Sequence, residues 1–440
     1  MMTRLRLWLD NLRTSLWFVP SLIVAGSVAL AYGLLALDEA LPVQWWQEFP
    51  WLDRLFDVRQ AGASAMLQVI GGSIITIAGV VFSITIAALT LASAQYTSRV
   101  LRNFIRDRAN QTVLGTFLGI FVYCLLILRS LSGGSQASHT PPLSLLMALV
   151  LAFVGVAVLI FFIHHIVLGL QATNVVATIA RDALPSIDRH FPLLHERDDN
   201  EPLVDLAPVA TGRRYHIASR QSGYVTAVNF GRLVAAANKV DGLIRVHLDA
   251  GRFAAEGETL AELQTEEEVD DDLLERIADA WSFGTQRTLE NDPGYGIRQL
   301  VDVALKALSP GVNETTTAVM CVNWLGVMLL RMTNRRFPSR LLVHDAHLRV
   351  VTAAPAFADL LGKAFGQIRQ CAAGNVAVLE RLLEVLQALA DTDAARTQRI
   401  PLLRQVDAIE ALALQSVPWA PDREGLVKAI ADLRSTLGTT

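Results

Sequence analysis

Charged residues and cysteines are both scarce in this 440-residue chain. Asp, Glu, Lys and Arg make up 18% of the residues and hydrophobic residues 52%, whereas soluble domains carry about 25% charged residues. This shortage excludes a disordered chain, which needs low hydrophobicity and high charge. Three cysteines are too few for a disulfide framework. With a net charge of −4, the chain has no overall positive charge to attract nucleic acid, which we therefore exclude as a partner.

The sequence also lacks the short motifs of common enzymes. It contains no Gly-x-Ser-x-Gly, no His-Glu-x-x-His, no paired Cys-x-x-Cys and no Rossmann glycine pattern. We therefore expect no catalytic residue, no cofactor and no metal ion. Two weaker metal patterns are an acidic run over 266–275 and the pair His344 and His347. A helix start explains the first and a β-hairpin the second.

Four long apolar runs stand out in the N-terminal part of the chain. They cover residues 15–37, 63–94, 113–131 and 143–167. Because a helix rises about 1.5 Å per residue, runs of this length cross a hydrocarbon core of about 30 Å. Acidic residues, and no small-residue cleavage site, follow the first run, which argues against a signal peptide. We predict four transmembrane helices followed by a soluble chain.

The basic residues predict the orientation of these helices. Arginines precede the first run and occupy the second loop, whereas acids dominate the first loop and the third loop is almost uncharged. Cytoplasmic loops carry the excess of Lys and Arg. We therefore place both termini in the cytoplasm of a bacterium, with the protein in the plasma (inner) membrane and the lipid bilayer as its first partner.

The second run carries a stripe of small and hydroxyl residues. At about 100° per residue the stripe contains Ser73, Thr76, Val80, Ser83, Ala87, Thr90 and Ala94, with Gly72 and Gly79 beside it. Two interpretations remain open. The stripe is either a packing seam in which the two glycines allow close helix approach, or the lining of a central pore in a homo-oligomer, with hydroxyls replacing part of an ion's water shell.

A basic helix follows the stripe directly. Arg99, Arg102 and Arg106 lie on faces other than the apolar face of this segment. They either hold the helix on anionic lipid or form a ring at the inner mouth that concentrates anions. The apolar runs contain no carboxylate of the kind that proton-coupled carriers use. This absence favours a channel or a sensor over a carrier.

The soluble part of the chain predicts an α+β fold. Proline-bearing residues 171–212 are typical of a connector, and short strands separated by turns over 213–265 predict a small barrel-sandwich-like β module. Residues 266–440 predict a mainly helical domain with one β-hairpin. Inside it, the turn Ser309–Glu314 separates two helices, and we expect Asn313 to cap the second. With residues 1–170 as the membrane domain, the chain divides into four segments.

Two stretches give the chain a family resemblance. They are GVVFSITIAALTLASAQYTSRVLRNFIRD in the second run and ALSPGVNETTTA in the soluble part. Together with the four apolar runs they resemble the bacterial membrane proteins grouped as domain of unknown function 2254. The family usually has Asn-Asp-Pro-x-Thr-Ala in the second motif, whereas this chain has Asn313 to Ala318 as Asn-Glu-Thr-Thr-Thr-Ala. The resemblance implies the architecture and carries no activity with it.

The leading functional hypothesis is a homo-oligomeric ion channel. Residues 63–94 would line its pore, with Ser73, Thr76, Ser83 and Thr90 facing the ions and the soluble parts forming a cytoplasmic vestibule. The alternative is a non-conducting sensor or scaffold that signals through its cytoplasmic domain.

Overall fold

The structure is a computed structural model, and it describes residues 17–40, 60–95, 107–132, 141–169, 171–193, 212–345 and 347–439. The chain divides into two compact units, Met1–Asn174 and Val175–Thr440. We call them the N-terminal unit and the C-terminal unit.

Four long helices make up the described part of the N-terminal unit. They are α1 (Phe18–Ala40), α2 (Gln60–Gln95), α3 (Arg108–Ser132) and α4 (Pro142–Gly169). Each coincides largely with one of the apolar runs. Across the described residues, five helices are long and apolar enough to span a membrane. The fifth, α9 (Thr315–Thr333), belongs to the C-terminal unit, and its mean hydropathy of 1.3 is below the 2.0–3.1 of α1 to α4.

Helix α3 forms the centre of the N-terminal unit. It contacts α1, α2 and α4, and it buries Phe117, Ile120, Tyr123 and Ile127 in the core of the unit. Glycines allow α1 to approach closely. A methyl group on Gly115 would lie 2.8 Å from Pro20 Cα, and one on Gly119 would lie 2.5 Å from Ser27 Oγ. Close approach of backbones is the usual way in which helices associate in lipid.

Polar contacts join the helix ends of this unit. At the end of α1, Asp38 accepts hydrogen bonds from Leu143 N (2.9 Å), Ser144 N (3.0 Å) and Ser144 Oγ (2.6 Å), which satisfies the free N–H groups at the start of α4. Tyr123 OH donates to Ser144 O at 2.8 Å. At the opposite end of α4, His165 Nε2 lies 2.5 Å from Asp107 Oδ2, just before α3. These contacts fix the register of three helices.

The C-terminal unit combines two sheets with a helical layer. Its strands are β1 (Arg213–Ala218), β2 (Gly223–Val228), β3 (Leu243–Val246), β4 (Phe253–Ala254), β5 (Thr259–Thr265), β6 (Trp281–Gly284), β7 (Leu341–His344) and β8 (His347–Val351). Its helices, besides α9, are α5 (Ala172–His190), α6 (Phe230–Lys239), α7 (Asp271–Ala278), α8 (Pro293–Ala307), α10 (Phe357–Cys371), α11 (Val376–Ala390), α12 (Ala395–Ser416) and α13 (Ala420–Thr439). Its α+β character agrees with the sequence-based expectation.

The strands pair across long distances in the chain. One sheet has the order β1-β5-β3-β8-β7 and the other β4-β2-β6. Strands β3 and β8 are parallel, with Ile244 opposite Val350, and both residues are fully buried in a common core. The β module predicted over 213–265 therefore shares its sheets with the hairpin 341–351 and with β6. A separate barrel-sandwich is not confirmed, because strands from outside 213–265 complete both sheets.

A layer of packed helices covers the rest of the C-terminal unit. Helix α9 contacts α8, α10 and α11, while α13 contacts α11 and α12. The inward face of α9 is fully buried at Cys321, Leu325, Met328 and Leu329. A methyl group on Gly326 would lie 2.8 Å from a methyl carbon of Val385, so α9 and α11 pack closely. This packing accounts for the apolar residues on the inward face of α9.

Two local expectations differ from the structure. Residues 172–190 of the predicted connector form helix α5, with Pro185 inside it. Burial of Val176, Ile179 and Ile187 on one face outweighs the cost of an interior proline, about 3 kcal/mol. The N-cap of α9 is Glu314 rather than Asn313, because Asn313 takes a left-handed conformation with φ of 47° and completes the preceding turn.

Candidate functional site

The stripe of α2 faces away from its own bundle. Helix α2 contacts α3 and α4 through the buried residues Ala63, Leu67, Ile74, Ala78, Val81 and Ala88. Ser73, Thr76, Ser83 and Thr90 are exposed, and at 100° per residue the centre of these four lies about 160° from the centre of the packing face. The structure therefore brings the four predicted residues onto one outward surface.

Large apolar side chains border this surface. Ile75, Phe82 and Ile86 are exposed along one flank, and Ile84 and Leu91 along the other. Between them lies a strip of small and hydroxyl residues, which also exposes Val80, along a helix of 36 residues. The helix is about 54 Å long, longer than a hydrocarbon core of about 30 Å. The strip from Ser73 to Thr90 covers about 26 Å of this length.

The hydroxyl groups of the strip bond to their own helix. Thr76 Oγ1 donates to Gly72 O at 2.8 Å, Ser83 Oγ to Gly79 O at 2.9 Å, and Thr90 Oγ1 to Ile86 O at 2.9 Å. Each proton is thus engaged, while the oxygen lone pairs stay available as acceptors. Chemically, the strip is a row of acceptor oxygens.

The predicted packing glycines have no close neighbour among the described residues. A methyl group on Gly72 or Gly79 would find no described heavy atom within 4 Å. The tight contacts of the unit lie instead at Gly115, Gly119 and Gly155, where a methyl group would lie less than 3.0 Å from a neighbour. Gly72 and Gly79 are therefore not packing residues of the intramolecular bundle.

The predicted basic residues Arg99, Arg102 and Arg106 lie outside the described residues. The described chain resumes at Asp107, whose Oδ1 accepts a hydrogen bond from Ala109 N at 2.9 Å at the start of α3. The other carboxylate oxygen contacts His165, whose ring also stacks on Phe161. A hydrogen-bonded contact between Asp107 and His165 of α4 thus follows directly after the basic segment.

A second candidate site is a cavity of about 310 Å³ in the C-terminal unit. Its lining comes from the end of α5, the turn between β2 and α6, the turn after β3, the start of α8, and the two chains that flank the β7–β8 hairpin. Apolar side chains dominate the lining, among them Phe191, Phe230 and Leu342. The polar groups in it are few, and they include His190, Asp249 and Asp292.

Ion pairs position the end of α5 beside this cavity. Asp188 Oδ1 accepts from Arg331 Nε at 2.6 Å and lies 2.7 Å from Arg335 Nη2. Arg335 Nη1 also donates to Phe191 O at 2.7 Å. The hydrogen bond from Arg331, together with the nearby charge of Arg335, lowers the pKa of Asp188 below its usual value. His190 and Phe191 are therefore held in place from α9.

An ion pair with Arg287 holds Asp292, which belongs to the lining of the cavity. Asp292 Oδ2 accepts from Arg287 Nε at 2.7 Å and from Arg287 Nη2 at 2.6 Å, and the side chain of Asp292 is only 10% exposed. Gly251 lies against this pair with φ of +85°, and a methyl group there would lie 2.1 Å from Asp292 Oδ2. Only glycine fits this position, for reasons of both conformation and space.

Asp249 is the other carboxyl group of the cavity. Its Oδ1 accepts a hydrogen bond from Ala250 N at 2.7 Å. Among the described residues, neither Arg nor Lys forms an ion pair with it. Burial raises the pKa of Asp249, and the neighbouring charge of Asp292 raises it further. Arg287 thus neutralises the carboxylate of Asp292, whereas no described Arg or Lys neutralises that of Asp249.

The two metal patterns of the sequence lie at the start of a helix and in a β-hairpin. Among the described residues there is no group of three or more His, Cys, Asp or Glu side chains able to hold a metal ion. The acidic run opens a helix as expected, since Asp270 caps α7 by accepting from Leu273 N at 2.8 Å. His344 and His347 face each other across the β7–β8 hairpin.

Sequence reasoning missed the whole cavity. The one local signal was Asp292-Pro293, an N-cap followed by a proline in the first turn of α8. Asp249 and His190 gave none, because the cavity forms only when elements about 160 residues apart meet. A cavity of this kind becomes predictable only once the pairing of the strands around it is known.

Comparisons with known proteins complete the description. The family model of predicted membrane proteins with domain of unknown function 2254 matches residues 13–388. An uncharacterized protein of Mycobacterium tuberculosis is 28% identical over 440 residues, which is 98% of this chain and 82% of the relative. An uncharacterized protein of Mycobacterium bovis has the same identity and coverage. No solved structure matches the chain.

Proposed function

We propose that this chain is a homo-oligomeric ion channel. The chain belongs to the family of predicted membrane proteins with domain of unknown function 2254, as its motifs predicted. In this proposal α2 from each copy turns its strip toward a central path. Helices α1 to α4 span the bacterial plasma membrane, and α9 stays in the core of the C-terminal unit. The proposal assigns no catalytic step to the protein.

The observation that carries the proposal is the direction of the strip. A helix face that meets lipid is expected to carry large apolar residues, as the flanks of the strip do. Glycine, serine and threonine along the face opposite the bundle therefore call for a neighbour other than lipid. A second copy of the chain, or water enclosed by several copies, would supply that neighbour.

The chemistry of the strip favours cations in the path. Thr76, Ser83 and Thr90 donate their protons to their own helix, so each presents only acceptor lone pairs outward. A ring of such oxygens replaces part of a cation's hydration shell. The arginines 99, 102 and 106, if they form a ring at the inner mouth, would favour anions instead. The reversal potential under a KCl gradient separates these two selectivities.

The test is ion flux from liposomes that contain the purified full chain. We expect conductance and a copy number of at least three in native mass spectrometry. Ser83→Leu should abolish the flux and leave the copy number unchanged, because it turns an acceptor oxygen into an apolar constriction. Ser93→Leu is the matched control: it makes the same change on an exposed part of α2 off the strip, and flux should persist.

Three results would overturn the proposal. The first is the absence of conductance under voltage, membrane tension and ligand. The second is a monomer or dimer in the membrane. The third is a Ser83→Leu protein that loses assembly, since the strip would then be a packing seam between copies in which added bulk costs about 1–3 kcal/mol.

The orientation has its own test. In a cysteine-free background, Ser135→Cys should react with an impermeant maleimide applied outside the cell, and Ser435→Cys should react only after the membrane is opened. This follows from the distribution of arginines in the loops. The opposite labelling pattern would show that the proposed orientation is wrong.

A sensor without conductance is the second candidate function. The cavity of the C-terminal unit favours it, since a buried site with few polar groups is typical of small-molecule binding. The two candidates differ in one measurement. A sensor binds its ligand and passes no ions, whereas the channel conducts.

A further inference from the structure

The cavity of the C-terminal unit has the build of a ligand site. A volume of about 310 Å³ lies at the lower end of the range for small-molecule pockets. Its walls are mainly rings and aliphatic groups, with Phe191 and Phe230 as the largest, while Pro293, Pro338 and Pro355 stiffen the chain around it. Such walls accept the apolar body of a small organic molecule.

The charges of the cavity define the head group of that molecule. Arg287 neutralises Asp292 through two hydrogen bonds to one oxygen. Asp249 uses Oδ1 for Ala250 N, and no described lysine or arginine is paired with it. A carboxylate that is buried beside another carboxylate repels anions and attracts a cation.

The neutral acceptors of the cavity point to a donor with several N–H groups. His190 Nδ1 lies 2.8 Å from Ser186 O, and the tautomer in which this nitrogen donates leaves Nε2 as an acceptor. Asn291 Nδ2 donates to Thr226 O at 3.1 Å, which leaves its carbonyl oxygen as an acceptor. With Asp249, these are three lining side chains that can accept hydrogen bonds, and a primary ammonium carries three donors.

We propose that this cavity binds a small organic amine, with its ammonium group at Asp249 and its apolar body against Phe191 and Phe230. A phosphate or carboxylate ligand is disfavoured by the charge of Asp249. A bare metal ion is disfavoured by the apolar walls and by the absence, among the described residues, of a group of three ligands. This site is independent of the strip on α2, and it needs no ion flux.

The test uses the full chain in detergent micelles and three probes of one shape. Phenethylamine should bind saturably in calorimetry and raise the melting temperature, whereas 2-phenylethanol and phenylacetate should bind at least tenfold more weakly. Asp249→Asn should weaken phenethylamine binding at least tenfold. Asp393→Asn, the same change on an exposed residue elsewhere in the unit, should leave the affinity unchanged and also controls for uptake of amine by the micelle.

A second variant tests the apolar half of the site. Ala250→Leu adds bulk to the lining and should reduce the affinity for phenethylamine while Asp249 is retained. The proposal is overturned if the amine and the alcohol bind equally, if Asp249→Asn binds as the wild type does, or if no probe binds saturably at millimolar concentration. None of these results depends on conductance, so the channel proposal stands or falls separately.

Discussion

The two units keep their polar side chains in opposite places. In the N-terminal unit the hydroxyls of α2 lie on the outer surface and are hydrogen-bonded within their own helix. In the C-terminal unit the carboxyls of Asp249 and Asp292 converge on a cavity. A hydroxyl on a helix surface can satisfy its proton within its own helix, whereas a buried carboxylate needs a partner from elsewhere in the fold or from a ligand.

This difference indicates what each unit still requires. Among the described residues, the surface of α2 has no close neighbour at Gly72 or Gly79, and other copies or enclosed water complete it in the channel proposal. The cavity has its walls, and no described Lys or Arg forms an ion pair with Asp249. We therefore expect substitutions on the strip of α2 to change assembly. We expect substitutions in the cavity to change ligand binding and the pH dependence of stability. Four substitutions test this contrast.

The largest effect is expected from glycines of the N-terminal unit. Gly115→Leu places a side chain where a methyl group alone would lie 2.8 Å from Pro20 Cα. The α1–α3 contact would have to open, and we expect a loss of about 3 kcal/mol in the free energy of unfolding, measured by denaturation with dodecyl sulfate. Gly79→Leu is the matched control, since its position is open within the chain.

The two glycine variants also sharpen the contrast between bundle and assembly. Gly79→Leu should leave the fold of the single chain intact and reduce the copy number or the flux. Equal destabilisation of the folded chain by both variants would mean that the outward face of α2 packs against the bundle after all.

A smaller effect is expected at Gly251 in the C-terminal unit. Gly251→Ala strains a left-handed backbone and drives a methyl group into Asp292 Oδ2, so we expect a loss of about 2–3 kcal/mol in thermal or urea denaturation. Gly257→Ala shares the positive φ, at +82°, without any neighbour within 4 Å. It should cost only the backbone strain, about 1 kcal/mol. Equal losses would show that the contact with Asp292 is irrelevant.

The same residues show what a sequence predicts and what it leaves out. Periodicity placed α1 to α4 and the β7–β8 hairpin, because their patterns are local. The strip on α2 was also found, although its direction was not, since a helical pattern does not tell which of two faces meets the bundle. The parallel pairing of Ile244 with Val350 and the cavity depend on long-range contacts that carry no local signal.

Asp188→Asn is expected to have a moderate, pH-dependent effect. The hydrogen bond from Arg331 lowers the pKa of Asp188 in the folded chain, so its carboxylate stabilises the fold above the unfolded-state pKa of about 3.9. That contribution is lost as pH falls through the folded-state pKa. We expect a loss of about 1 kcal/mol at pH 7, discounted for its partial exposure, and a steadily smaller loss as pH falls below about 3.9. A loss independent of pH would contradict the charge argument.

The smallest effect, and the one of opposite sign, is expected from Asp249→Asn without ligand. Burial raises the pKa of Asp249, the charge of Asp292 raises it further, and Ala250 N–H and His190 only partly offset this. The folded chain therefore holds a proton more tightly than the unfolded chain does, so its stability falls as pH rises from the unfolded-state pKa through the folded-state pKa. Asparagine removes that penalty and keeps an acceptor for Ala250 N. We expect a gain of about 1 kcal/mol at pH 7, vanishing near pH 3, in thermal denaturation of the purified chain. A loss at pH 7 would mean that Asp249 already has a cationic partner, and the cavity would then have no need of an amine.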